Sequence, residues 1–134
     1  MVLVDTNVVV ALWVQSDRTD RARRLLERDP DRRTESFALI EFANVMSTYV
    51  RNGLAVESQA LLRLEEAERF LGPGMVLASH RSSLSAAVAH GVAVYDARFL
   101  VVASELGVRL VSEDLKLRRA APELTQSLDQ ALAA

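Results

Sequence analysis

The first fourteen residues, Met1–Val14 (MVLVDTNVVVALWV), decide the fold. Asp5, Thr6 and Asn7 are the only strongly polar residues in that run. The segment VLV at 2–4 predicts a short buried strand ending at Asp5. From Val8 the apolar residues continue through Ala11, Leu12 and Val14 at helical spacing, which predicts a helix starting near Thr6 or Asn7. A strand that feeds directly into a helix is the unit from which parallel sheets are built. A carboxylate at that junction is expensive to desolvate, so Asp5 calls for a neutralising partner.

Further along, DRTDRARRLLERDPDRR predicts an amphipathic helix with Ala22, Leu25 and Leu26 inward, stopped near Asp29–Pro30. A short extended piece then leads into a helix whose inward residues include Leu39, Phe42, Ala43, Met46, Tyr49 and Val50, closed by Asn52–Gly53. Another helix is expected over 56–71, ending at Gly72–Pro73–Gly74, the clearest break in the chain. After it come a strand at 75–79, a helix in SSLSAAVAHG, and a helix in YDARFLVVASELG with Ala97, Leu100, Ala103 and Leu106 on one face. A strand at 108–112, a short helix in EDLKLRRAA, an edge strand in TQSL and a few last helical turns complete the pattern. Apolar strands alternating with helices predict a small α/β sandwich: a parallel sheet covered on both faces. There is no repeat or linker, so residues 1–134 are expected to form one domain.

Composition narrows the chemistry. Cysteine is absent, which excludes disulfides and thiolate metal sites, and two histidines, His80 and His90, cannot build a multi-histidine site within one chain. No apolar run approaches the ~18 residues of a membrane helix. The apolar amino terminus lacks a basic leader and carries Asp5, so a secretory signal is not expected and a cytoplasmic protein is. The formal net charge of −2 does not advertise nucleic-acid binding. Fifteen of the 16 basic residues are arginine, Lys116 being the exception. The arginines at 18, 21, 23, 24, 28, 32 and 33 are interleaved with Asp17, Asp20, Glu27, Asp29 and Asp31, the pattern of a solvated helix face. Trp13, at helical spacing among apolar neighbours, is assigned to core or interface packing, and the histidines to surface or helix-end positions.

Ligand sites of open parallel sheets lie beyond the carboxyl ends of the strands. Asp5 and Asp114 fall at or just after predicted strand ends, Asp96 at the start of a helix, and Glu41 in the first turns of another. Each has a structural alternative: Asp5 and Asp96 as helix N-caps, Glu41 as a charge favoured by the dipole, and Asp114 as a first-turn acid with Glu113 equally eligible. Converged in space, the four would repel by ~4 kcal/mol per pair ~4 Å apart at an effective dielectric of 20. They would therefore take up protons or bind a cation. An oxygen-only donor set favours Mg²⁺ or Mn²⁺, ions that activate water and stabilise charge on a phosphoryl oxygen. That chemistry is phosphodiester hydrolysis. Arg98, Lys116, Arg118 and Arg119 lie nearer this expected cleft than the arginine patch does and are the candidate substrate contacts.

The ordered set LVDTN (3–7), ALIEFANVM (38–46), YDARFLVVASELG (95–107) and LVSEDLKL (110–117) resembles the PIN domain, in particular the VapC-type toxins of bacterial toxin–antitoxin pairs. The resemblance spans nearly the whole chain. It implies a three-layer α/β/α sandwich with a short, mostly parallel central sheet. Position by position, it matches Asp5, Glu41 and Asp96 to the first three acids, and Ser112-Glu113-Asp114 selects Asp114 for the fourth. Thr6, Asn7 and Ser112 match polar positions supporting the site. The implied activity is a Mg²⁺- or Mn²⁺-dependent endoribonuclease, with Asp5 and Asp96 as the firmest ligands; the implied partners are RNA, a second copy of the chain and a cognate antitoxin. Two other readings keep the fold, a metal-stabilised binding module and a housekeeping nuclease without an antitoxin. A haloacid-dehalogenase-type phosphatase would want D-x-D where Asn7 stands, and a response-regulator receiver an acidic pair that is missing.

Overall fold

The computed structural model describes residues 1–134. Its elements, in order, are β1 (Val2–Val4), α1 (Thr6–Trp13), α2 (Thr19–Arg28), β2 (Arg32–Glu35), α3 (Phe37–Arg51), α4 (Glu57–Leu71), β3 (Met75–Val76), α5 (His80–His90), α6 (Val94–Leu106), β4 (Leu110–Val111), α7 (Leu115–Ala120), β5 (Thr125–Gln126) and α8 (Leu128–Ala133). All strand pairs are parallel, in the order β3-β2-β1-β4-β5. The chain therefore winds outward from β1 in both directions, and the order reverses between β1 and β4. A crevice opens at the carboxyl ends of those two strands.

Every residue of β1 is buried, Val2 and Val4 on one face of the sheet and Leu3 on the other. The Val2/Val4 face packs against Val8, Val9 and Ala11 of α1, Ala22, Leu25 and Leu26 of α2, and Phe42 and Met46 of α3. The Leu3 face, joined by Leu110, packs against Phe99, Leu100 and Val102 of α6 and Leu117 of α7. Two apolar clusters on opposite sides of one sheet make the expected three layers. Each fully buried leucine among them contributes about 1.5–3 kcal/mol.

Two elements are shorter than the pattern predicted. Strand 75–79 reduces to Met75–Val76, and strand 108–112 to Leu110–Val111. β3 is an edge strand paired only to β2, through Thr34↔Met75 and Glu35↔Val76, so beyond Val76 the chain has no ladder to follow. It leaves the sheet with Leu77 exposed and uses Ser79 to cap α5. At the other end Gly107, at φ 67°, supplies the left-handed turn that terminates α6 before β4. Gly74 serves a different need: a Cβ there would lie 1.8 Å from the Arg32 carbonyl oxygen, so only glycine lets α4 dock its exit turn onto β2.

Trp13 packs edge-on against Phe42 and Phe70, with centroids at 5.8 and 5.6 Å, and donates its indole N–H to Glu66 at 3.0 Å. Much of the arginine patch is absorbed by the fold. Arg21 pairs with Asp129, Arg28 donates to the Ala131 and Leu132 carbonyls, Arg33 pairs with Asp31, and Arg32 lies over the Phe70 ring. The Arg21 and Arg28 contacts strap α8 to α2. No single helix is long and apolar enough to cross a membrane.

Candidate active site

Asp5 ends β1 and caps α1. Its Oδ1 accepts from the Thr6 amide at 2.7 Å, while Oδ2 accepts from Ser112 Oγ at 2.7 Å and from Asn7 Nδ2 at 3.2 Å. Ser112 follows β4, so this bond crosses the point where the strand order reverses. Asn7 reaches the same side, donating to Ser112 Oγ at 3.3 Å and accepting from the Glu113 amide at 3.1 Å. Thr6, Asn7 and Ser112 thus hold one carboxylate in place. A carboxylate has about four acceptor positions, so three donors leave room for one more ligand.

Glu41 lies one turn into α3, half-buried, between exposed Ile40 and buried Phe42. Its Oε1 accepts from Thr6 Oγ1 at 2.6 Å, which links it through a single residue to Asp5. Asp96 is the third residue of α6, not its cap; Ala93 holds that position without a side-chain bond. Asp114 caps α7 by accepting from the Leu117 amide at 3.1 Å. Of the two N-caps the sequence offered, Asp5 is one and Asp96 is not, while Asp114, read there as a first-turn acid, is itself the cap of α7.

All four acids line one cavity of about 840 Å³. Burial pushes the Asp5 carboxyl up to about 6, against the pull of its Ser112 and Thr6 bonds, and the charges of Glu41 and Asp96 add to the rise. Burial also raises Glu41, which feels Asp96 and Glu35, and raises Asp96, which feels Asp114. Lys116 pulls the other way on Asp96. Asp5, Glu41 and Asp96 are close enough to resist joint ionisation. No three of them close into a ready-made cage for an ion. With carboxylates and no histidine or cysteine in its lining, the cavity offers oxygen donors, the chemistry that suits a hard cation such as Mg²⁺. Glu113 is committed elsewhere: its Oε2 accepts from the Leu128 amide at 3.1 Å, and Arg21 and Arg118 pair with it.

The basic candidates do not line this cavity. Arg98 instead donates Nε to Glu35 Oε2 at 2.9 Å and a second nitrogen to Glu35 Oε1 at 2.7 Å. Glu35 is wholly buried and also accepts from Ser36 Oγ and the Phe37 amide. Arg118 donates to the Ser112 carbonyl at 2.7 Å, and Lys116 and Arg119 are exposed. Sequence reasoning passed over Glu35, for a lone acid in RRTESF carries no signal of its partner sixty-three positions away. Asn44 was legible, since it follows Glu41 by one helical turn and lines the same cavity. Tyr95, exposed beside Asp96 and stacked on Phe37 at 5.2 Å, also lines it.

The PIN domain family model matches residues 2–122. Ribonuclease VapC3 of Pyrobaculum aerophilum is 30% identical over 126 residues, covering 91% of this chain and 95% of that protein. Among solved structures, PAE2754 from Pyrobaculum aerophilum superposes with a TM-score of 0.75 at 20% identity, covering 98% of this chain and 89% of the other. A toxin–antitoxin complex from Klebsiella pneumoniae gives 0.63 at 18% identity, covering 91% and 93%. At those identities the structures share the fold. With an acid-lined crevice at the switch point of a five-stranded parallel sheet and a family match over most of its length, this chain belongs to the PIN domain family and is of the VapC type.

Proposed function

We propose that this protein is a divalent-cation-dependent endoribonuclease of the toxin class, acting through Asp5, Glu41, Asp96 and Asp114. The observation that carries the reading is the shared cavity: four acids from four separate segments line it, and burial and mutual repulsion raise three of them. A bound Mg²⁺ or Mn²⁺ supplies neutralisation of this charge, activation of water and stabilisation of charge on the phosphoryl oxygens.

Around it, the chain's own groups have distinct tasks. Asp5 is immobilised by Thr6, Asn7 and Ser112, so its remaining lone pair points in a fixed direction. Glu41 keeps Oε2 available while Thr6 holds Oε1, which suits it to bind the ion or orient the attacking water. Asp96 accepts no hydrogen bond that would lower it and presents both oxygens. Asp114 has one oxygen committed to the α7 amide and offers the other, directly or through water. No histidine lines the cavity, so the side chains that would accept a proton from water there are these carboxylates.

An RNA substrate and a cognate antitoxin complete the reading, supported by the names of the VapC3 relative and the Klebsiella pneumoniae complex. A second copy of the chain and a cytoplasmic location belong to it as well. Leu84 and Val88, exposed and one turn apart on α5, offer apolar surface for such a copy. The deciding test compares Mn²⁺-dependent cleavage of single-stranded RNA by the wild type and Asp5→Asn. Cleavage is expected to fall at least a hundredfold, with the far-ultraviolet spectrum unchanged; equal cleavage by the folded variant overturns the assignment.

A further inference from the structure

Arg18 is the one basic side chain among the residues lining the acid-bearing cavity. It stands just before α2, where its amide donates to Ser16 Oγ at 3.1 Å, and its side chain is 43% exposed. The nearest carboxylate is Glu113, whose Oε1 lies 4.0 Å from Arg18 Nε. Glu113 is already claimed by Arg118 at 3.4 Å, by Arg21 at 3.6 Å and by the Leu128 amide at 3.1 Å. Three guanidiniums surround one carboxylate there; Arg21 also binds Asp129, which is largely exposed, and feels the charge of Asp17. Arg18 makes the longest of the three contacts to Glu113 and is the member that reaches the cavity.

Asp5 stands at the start of α1 and Arg18 follows its far end, and Val10, Ala11 and Val14 give the cavity an apolar wall along that helix. A ligand spanning it must tolerate a cation-balanced acidic end, present apolar faces, and carry negative charge further on. A nucleic-acid strand does all three, with bases interleaved between phosphates. Guanidinium recognises phosphate through paired, charge-assisted hydrogen bonds. We propose that Arg18 forms a phosphate subsite, binding a backbone phosphate of the RNA other than the one cleaved. This rests on the ribonuclease reading of the same cavity. The arginines counted as a basic patch in the sequence then divide: Arg21 and Arg28 staple α8 to α2, and this one meets substrate.

The test uses the full chain and a short fluorescent single-stranded RNA of mixed sequence, with binding measured by anisotropy across a salt series and cleavage measured with Mn²⁺. Arg18→Gln is compared with Arg24→Gln, which removes the same charge from an exposed position on α2 outside the cavity. Arg18→Gln is expected to weaken binding about tenfold, in KM more than in kcat, and to flatten the plot of log affinity against log salt by about 0.7. Arg18→Lys should recover part of the affinity, and Arg24→Gln should leave it within about twofold. If the wild type binds and cleaves while Arg18→Gln keeps its affinity and salt slope, the subsite is refuted and the ribonuclease survives. That holds even if the variant loses its grip on an antitoxin. A wild type that neither binds nor cleaves RNA overturns the ribonuclease and the subsite together.

Discussion

Asp5 is held by three donors and still keeps its proton to about pH 6, because burial outweighs the hydrogen bonds. The consequence for stability has a definite sign. The folded state binds this proton more tightly than the unfolded chain, whose aspartate titrates near 3.8. Its stabilising contribution is full below that value and is lost as pH rises through about 6, on the order of 3 kcal/mol in the absence of a divalent cation. Glu35, which Arg98 and its hydrogen bonds hold below the usual glutamate range despite burial, works in the opposite sense, so total stability is a poor readout. The difference between wild type and Asp5→Asn in EDTA isolates the effect. Asparagine cannot ionise, so the variant should gain on the wild type between pH 4 and 6 and stay level above 7. Parallel urea-unfolding stabilities across that range would show that Asp5 titrates normally.

The elements bearing the second and third acids are joined by the Glu35–Arg98 pair. Glu35 ends β2 and accepts the first amide of α3; Arg98 is two residues past Asp96 on α6. Both hydrogen bonds of the fork are made, and the carboxylate is fully buried. Glu35→Gln keeps the shape but leaves a guanidinium without its counter-charge, at an expected cost of about 3–5 kcal/mol. Chemical denaturation measures it. A replacement of both partners by apolar residues should cost less than the single change, since no uncompensated charge remains. A loss under about 1 kcal/mol in Glu35→Gln would place the pair among weak surface bridges instead.

Over the whole molecule, the acid cavity is a region of native-state repulsion that a cation relieves. Millimolar Mn²⁺ should therefore raise the melting temperature by several degrees, since a ligand at about a hundred times its Kd adds about 2.7 kcal/mol to the folded state. The rise should shrink in Asp5→Asn. A melting temperature indifferent to Mn²⁺ in the wild type argues that the acids do not share an ion.

The order of elements, the helix faces and the strand-to-helix junction at Asp5 were legible along the chain, because burial on a helix or strand imposes a local period. Ser112-Glu113-Asp114 shows the limit: both acids follow the strand, and it is the fold that commits Glu113 to α8 and two arginines while Asp114 caps α7 and lines the cavity. Arg98 looked like a free cation near the cleft because its partner is remote in sequence. The sequence alone determined what each segment becomes and where a carboxylate is unusual. The tertiary structure alone decided which charges meet, since electrostatic pairing depends on distance in space and on exclusion from water, and neither is written in local order.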